Sequence, residues 1–290
     1  MTAQVGPGGR GGDEPVPAPP DDEDAQVLDL LSRSRTELVG RLVEASNLTL
    51  LVDLCDDDGR PTGHQAVYKP DRGARPLADF PPGTLARREV AAYLVSRAGG
   101  WDVVPPTLLR DGPLGPGSVQ AWVEQDAGRR ANPSAGLVEV LPADVDDPAW
   151  MPVVQGEDQT GRPVVVAHAD RADLRAVAVL DVVLNNADRK AAHLTVDVHG
   201  RLRGFDHGLT LHADDKLRTV LWGWAGQALD GTDRAHLERL VAALDEGTGV
   251  ERLLAEDEVG ALRARVVALL AAGHLPAPPV TRYPLPWPLW

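Results

Sequence analysis

The chain has 290 residues, 43% hydrophobic and 25% charged, the make-up of a globular protein able to bury a sizeable core. Its 43 acidic against 29 basic residues give a formal charge of -14, which argues against nucleic acid or an anionic membrane as the main partner, since both call for a basic face. The single cysteine, Cys55, excludes an internal disulfide; with no long apolar run and no signal peptide, the expectation is a cytoplasmic protein without integral membrane association.

Residues 1–24 are rich in Gly and Pro and then acidic, which predicts a disordered tail. A short helix through Val27, Leu28, Leu30 and Leu31 follows. Strand texture begins at Glu37 with Leu38, Val39, Leu42 and Val43, then a tight turn at 44–47, a strand over 48–54, an Asp/Gly turn at 56–60 and a strand over 64–69. Residues 84–98 read as a helix stopped by Gly99-Gly100, and strands over 107–110 and 118–123 complete a five-stranded sheet with one inserted helix. The stretch 125–165, rich in Asp, Gly and Pro, gives no firm element. Asp170 then caps a helix with Leu174, Val177, Leu180, Val183 and Leu184 on one face, ending at Asn185-Asn186. Helical patterns recur at 216–223, 232–247 and 256–272, and proline keeps 276–290 extended. The division expected is an N-lobe over 25–124, a helical C-lobe over 125–275 and a Pro/Trp tail over 276–290.

Two acids carry the chemistry. Asp188, in Asn185-Asn186-Ala187-Asp188-Arg189, and Asp206, in Gly204-Phe205-Asp206-His207-Gly208-Leu209, flank a predicted hairpin: 194–198, a turn at His199-Gly200, then 202–205. Such a hairpin brings both carboxylates to one end of a sheet, where one sits over a reacting hydroxyl and the other holds a divalent metal. Phosphoryl transfer of the kinase type needs that pair, because positioning and charge neutralisation do most of the catalysis.

The motifs also resemble a known family. Asn186-Ala187-Asp188-Arg189 resembles the Asn-x-Asp-Arg catalytic loop of the phosphatidylinositol 3- and 4-kinase superfamily, especially its type II 4-kinase branch. Phe205-Asp206-His207-Gly208-Leu209 resembles that branch's metal-binding Asp-x-Gly-Leu element, and the chain from about Leu38 to Leu229 is similar to an uncharacterised actinobacterial kinase-like family grouped there. The resemblance implies a two-lobed α+β protein-kinase-like fold using ATP with Mg2+ or Mn2+. It implies Lys69 as the strand lysine on the ATP phosphates, Glu89 as the helix acid that orients it, and backbone N–H groups of Ser46 and Asn47 as phosphate donors. Val123 and Glu124 would form the adenine-contacting hinge through their backbone. Asp188 would accept or orient the acceptor's proton, Arg189 would support the loop or neutralise a phosphate, and Asp206 would ligate the metal.

One position departs from the family: His193 stands five residues after Asp188, where an Asn serves as second metal ligand. Imidazole suits manganese, zinc or iron better than magnesium. His193 then binds a softer metal, or a single metal suffices, or His193 acts on the substrate, or the chain only binds nucleotide. Among the 8 histidines no zinc spacing occurs; His207 is expected to back the metal site, and His168 and His212 to be structural. Trp222 and Trp224 read as core, Lys216 and Arg218 as candidate contacts to an anionic substrate, and the tail as a docking segment for the body or a protein partner. The function expected is transfer of the γ-phosphoryl of ATP to an unidentified hydroxyl acceptor, lipid, protein or small molecule. Its rivals are an inactive nucleotide-binding regulator and an AMP-transferring enzyme on the same fold.

Overall fold

A computed structural model describes residues 21–42 and 47–290. Helix α1 (Asp21–Arg33) leads into β1 (Arg35–Arg41), β2 (Leu50–Cys55) and β3 (Pro61–Pro70), with α2 (Leu85–Gly99) inserted before β4 (Thr107–Gly112) and β5 (Gly115–Ala121). The strands form one antiparallel sheet in the order β1-β2-β3-β5-β4. Period-two alternation explains its two faces. Leu50, Val52 and Leu54 of β2 and Ala66 and Tyr68 of β3 bury against Leu31 of α1. Leu51 and Val67 are register partners on the opposite face, and Lys69 follows two residues after Val67 on that same side. The sheet is tightest there: a Cβ on Gly117 would lie 2.4 Å from the Lys69 carbonyl oxygen, so only glycine lets β5 approach. Helix α1 begins at Asp21, inside the acidic stretch read as a tail.

The stretch 125–165 is not irregular. After a short α3 (Ala127–Ala131), the strands β6 (Val138–Pro142), β7 (Trp150–Glu157) and β8 (Pro163–Ala169) form a second antiparallel sheet, ordered β6-β8-β7. Pro152, Gly156 and a register shift between Pro152 and Val154 break the alternation that would have revealed it. Helix α4 (Ala172–Leu184) follows, capped differently from expectation: its N-cap is Arg171, without a side-chain cap bond, while Asp170 accepts from the Trp224 indole at 3.1 Å. Strands β9 (Leu194–Val196) and β10 (Leu202–Gly204) pair as the anticipated hairpin.

Residues 216–223 are not helical; Trp222–Trp224 makes one 3-10 turn and the rest is irregular apart from a bridge at Thr219. Their backbone groups pair with distant segments instead of the preceding turn: Arg218 N–H donates to Asn186 O, Thr219 N–H to Pro284 O and Val220 N–H to Arg189 O. Helices α5 (Gly231–Glu246) and α6 (Glu256–Ala272) close the C-lobe, whose core joins α2, α4, α5 and α6 through residues such as Ala91, Val95, Val177, Leu180, Leu237 and Leu262. The tail docks on the body: Leu285 packs with Leu217 and Trp222, and the Trp222 indole donates to Pro284 O at 2.9 Å. No helix among the described residues is long and apolar enough to cross a membrane.

Candidate active site

β3 delivers Lys69 to the cleft face of the sheet, and the first half of α2 delivers Glu89 opposite it. The Lys69 ammonium bonds Glu89 Oε1 and lies 2.7 Å from Asp206 Oδ1, while Glu89 Oε2 accepts the His207 N–H at 2.9 Å. One lysine therefore ties strand, helix and the Asp206 loop together. Burial works against its charge, but Asp206 and Glu89 outweigh burial and hold the ammonium above its ordinary pKa. For Asp206, burial raises the carboxyl's pKa, yet Lys69 and His193 lower it further, so it stays ionised. Glu89 is raised by burial, with Lys69 opposing. The Asp206 side chain remains 44% exposed, so its carboxylate is reachable from the cleft. Its φ of 61° is a left-handed conformation uncommon for a residue with a Cβ, the kind of strain found where a side chain must be aimed.

Helix α2 is itself anchored. Arg88, 1% exposed, pairs with Glu258 of α6, donates to Thr210 O at 2.8 Å and lies 5.0 Å from the Phe80 ring centroid. The residue before Glu89 thus bolts α2 to the C-lobe.

The second acid lies on a loop built from the end of α4. Asn185, left-handed at φ 51°, donates to His212 O and Asp214 O at 3.0 and 2.7 Å and accepts from Lys216 N–H at 2.8 Å. Asn186 donates to Asp181 Oδ1 at 2.9 Å and accepts the Asp188 N–H at 3.0 Å. Arg189 points inward. It is 0% exposed, bound through Nε to both oxygens of Asp181 at 3.1 Å and through Nη2 to His207 Nε2 at 2.7 Å. A guanidinium can only donate, so His207 Nε2 accepts; burial holds that imidazole neutral, behind the Asp206 loop as anticipated. Thr219 Oγ1 donates to Asp181 Oδ2 at 3.1 Å, making the buried Asp181 the post around which both loops are built.

Asp188 turns the other way, half-buried, with the Lys190 ammonium 3.2 Å from its Oδ2. Burial pushes its pKa up to about 6, with Lys190 opposing and Asp206 near enough to add to the rise. His193 Nε2 lies 3.2 Å from Asp206 Oδ2. Burial brings the imidazole down to about 4, so it is neutral at ordinary pH, and its buried Nδ1 has no partner among the described residues. Two donors about 2.1 Å from one cation at right angles stand about 3 Å apart, so a carboxylate oxygen and a neutral imidazole at this separation fit joint ligation. No group of three or more His, Cys, Asp or Glu able to hold a metal occurs among the described residues. A divalent cation here would therefore draw on phosphate oxygens and water, as magnesium and manganese commonly do.

The remaining candidates divide. Ser46 lies outside the described residues. The side-chain oxygen of Asn47 accepts Arg75 N–H at 2.9 Å, so its carboxamide is turned toward residue 75. After β5, Trp122 N–H donates to Gln65 O, and Glu124 O accepts Val198 N–H at 3.0 Å. The Glu124 carbonyl therefore already accepts one hydrogen bond, while the Val123 backbone groups have no partner among the described residues. His168 is structural, its Nε2 accepting Gly223 N–H at 3.0 Å, and the His212 ring packs edge-on to Phe80. Sequence reading missed Lys190 and Asp181. Both left a signal: a cation two residues past the proposed base, and an acid inside the apolar run Val179-Leu180-Asp181-Val182-Val183.

A five-stranded sheet carrying the lysine, an inserted helix carrying its acid, and a helical lobe presenting two further acids on loops define a kinase-like fold. Two solved structures share it: hydra Fam20 with sugar (TM-score 0.53, 15% identity, 88% of this chain and 89% of that one) and the Golgi casein kinase with Mn/ADP bound (TM-score 0.51, 14% identity, 87% and 76%). In sequence the chain is 43% identical over 277 residues to Protein Rv2133c of Mycobacterium tuberculosis (strain ATCC 25618 / H37Rv), covering 92% of this chain and 95% of that protein. It belongs to the same family as that protein. No family model matches the chain.

Proposed function

We propose that the protein is an ATP-dependent phosphotransferase that moves the γ-phosphoryl group to a hydroxyl acceptor. The observation that carries this reading is Lys69 held between Glu89 and Asp206, with Asp188 half-exposed on the neighbouring loop. Lys69 binds the triphosphate, fixed in place by Glu89. Val123 offers backbone groups to the base, and the Asn47 backbone N–H is a candidate phosphate donor. Asp206 and His193 would hold a divalent cation, magnesium or manganese, which supplies charge neutralisation on the phosphates. Asp188 orients the acceptor hydroxyl and takes its proton. A bond forms between the acceptor oxygen and the γ-phosphorus as the bond from that phosphorus to the bridging oxygen breaks, and ADP leaves with the electron pair. Lys190 keeps Asp188 ionised and adds positive charge beside the transferring group. Arg189 and His207 position the two loops from behind.

The motif likeness to phosphatidylinositol 3- and 4-kinases supports an alcohol as acceptor, and the Mn/ADP bound to the Golgi casein kinase supports nucleotide and divalent metal use on this fold. A cytoplasmic bacterial enzyme with lobes at 25–124 and 125–275 is part of the same reading. The test is product analysis after incubation with ATP and Mg2+ or Mn2+, beside Asp188→Ala and Asp206→Ala. ADP formation lost in both variants is expected. Pyrophosphate as the product would replace the reading by AMP transfer, and metal-dependent ATP binding with no turnover on any acceptor would replace it by a regulator.

A further inference from the structure

Of Lys216 and Arg218, the two candidate contacts to an anionic substrate, Lys216 is paired with Asp79, and Arg218 remains. The backbone of the 215–220 segment runs beside the catalytic loop, with Arg189 and Thr219 paired as a parallel bridge. Arg189 N–H donates to Arg218 O at 3.0 Å, and Arg218 N–H to Asn186 O at 2.8 Å. The side chains of the bridged pair, Arg189 and Thr219, both turn inward to Asp181. On either side of a parallel bridge adjacent side chains alternate, so the residues just before the bridged pair, Asp188 and Arg218, fall on the opposite side. Arg189 and Thr219 are buried, whereas Asp188 and Arg218 are only partly so.

The charges around this face are otherwise spoken for. Lys190 is engaged with Asp188, Lys216 with Asp79 at 3.2 Å, and Asp215 with Arg282 at 2.6 Å. Among the described residues the Arg218 guanidinium has no hydrogen-bond or ion-pair partner. A half-buried cation left unpaired on a hydrogen-bonded backbone, in a chain of net charge -14, is suited to an anion, and the planar fork of arginine matches the paired oxygens of phosphate or carboxylate.

We infer that Arg218 is an acceptor-recognition residue, and that the acceptor carries an oxyanion, phosphate or carboxylate, close to the hydroxyl presented to Asp188. The inference rests on the kinase reading and narrows its acceptor to an anionic alcohol, taken either free in solution or as the headgroup of a lipid.

The test is a titration of the full chain loaded with manganese and a non-hydrolysable ATP analogue. Glycerol, glycerate and glycerol 3-phosphate share hydroxyls and differ in charge; phosphatidylglycerol in phosphatidylcholine vesicles, against phosphatidylcholine alone, presents the phosphate as a headgroup. One anionic probe should bind about ten- to a hundredfold more tightly than its neutral counterpart, the strength of a charged hydrogen-bonded pair. Arg218→Gln should abolish that preference and Arg218→Lys should retain part of it. Preference confined to the vesicles assigns the lipid source, and preference for a free probe the soluble one. Equal binding of neutral and anionic probes, no binding of any anion, or a preference unchanged in Arg218→Gln overturns the inference. Binding of the ATP analogue, measured first, separates the two readings. A parent protein that does not bind it removes both, whereas one that binds it and shows no anion preference removes the inference about Arg218 alone. Retained analogue binding by Arg218→Gln shows that this variant is folded.

Discussion

The two sides of the cleft are built differently. On the nucleotide side, Lys69, Glu89 and Asp206 are locked by mutual ion pairs, and α2 is bolted to the C-lobe by Arg88 and Glu258. On the acceptor side, Asp188, Lys190 and Arg218 stand on loops, half-buried, with a guanidinium unengaged among the described residues. The contrast follows from what each must do. In the proposed reaction, triphosphate and metal reward a preorganised charge array, whereas acceptor choice would rest on side chains carried by loops. The frame on that side is the buried Asp181, which holds Asn186, Arg189 and Thr219 at once.

The largest effect should come from breaking the nucleotide side. Asp206→Asn keeps the shape but removes the charge facing Lys69 and the metal, and ADP formation should fall by about a thousandfold or more, read by coupled ADP release. Next comes the base. In the proposed role Asp188 acts as the carboxylate, and burial pushes its pKa up to about 6, so turnover should be level above that value and fall about tenfold per pH unit below it, as protonation removes the base. In Asp188→Asn the residual rate should lose that acid limb. On the anchoring of α2, Arg88→Met strands Glu258 in a nearly buried place and should cost about 3–5 kcal/mol in denaturant unfolding, whereas the Arg88→Met/Glu258→Met pair should recover most of it. If the double variant then loses turnover while still folded, α2 anchoring serves the site as well as the fold.

The smallest effect is expected from the tail. Arg282 donates to Leu217 O at 2.6 Å, and Ala191 N–H donates to Leu289 O at 2.9 Å, so the 282–289 stretch braces both acceptor-side loops without touching the nucleotide side. Arg282→Ala should lower kcat by a few-fold, about 1 kcal/mol of barrier, and leave ATP affinity unchanged. A change in ATP affinity instead would mean that the two sides are coupled through the tail.

The residues that reveal themselves in the sequence are those whose environment repeats. Alternation in 50–54 and 65–69 marks the sheet, and the long apolar faces mark α4, α5 and α6. Lys69 and Glu89 come together because a strand and the next helix fix their places. The second sheet, β6-β8-β7, hides behind prolines and a register shift, and its pairing partners are far apart in sequence. Arg189 leaves two roles open in the sequence because charge signals the surface, and only the apolar-helix acid Asp181 hints that a partner waits inside. The 216–223 segment carries a helix-like pattern that loses to backbone pairing with the 186–189 loop and the tail, and this same pairing puts Arg218 on the segment alongside Asp188. Such long-range register has no local trace.

One measurement bears most directly on the kinase-like site: ATP affinity by calorimetry with Mn2+ and with EDTA, for the parent protein and Asp206→Asn. The arrangement around Lys69 requires metal-dependent binding in the parent and loss of the metal dependence in the variant. Equal affinity with Mn2+ and EDTA, or no binding in either protein, would contradict a nucleotide site built on Lys69, Glu89 and Asp206.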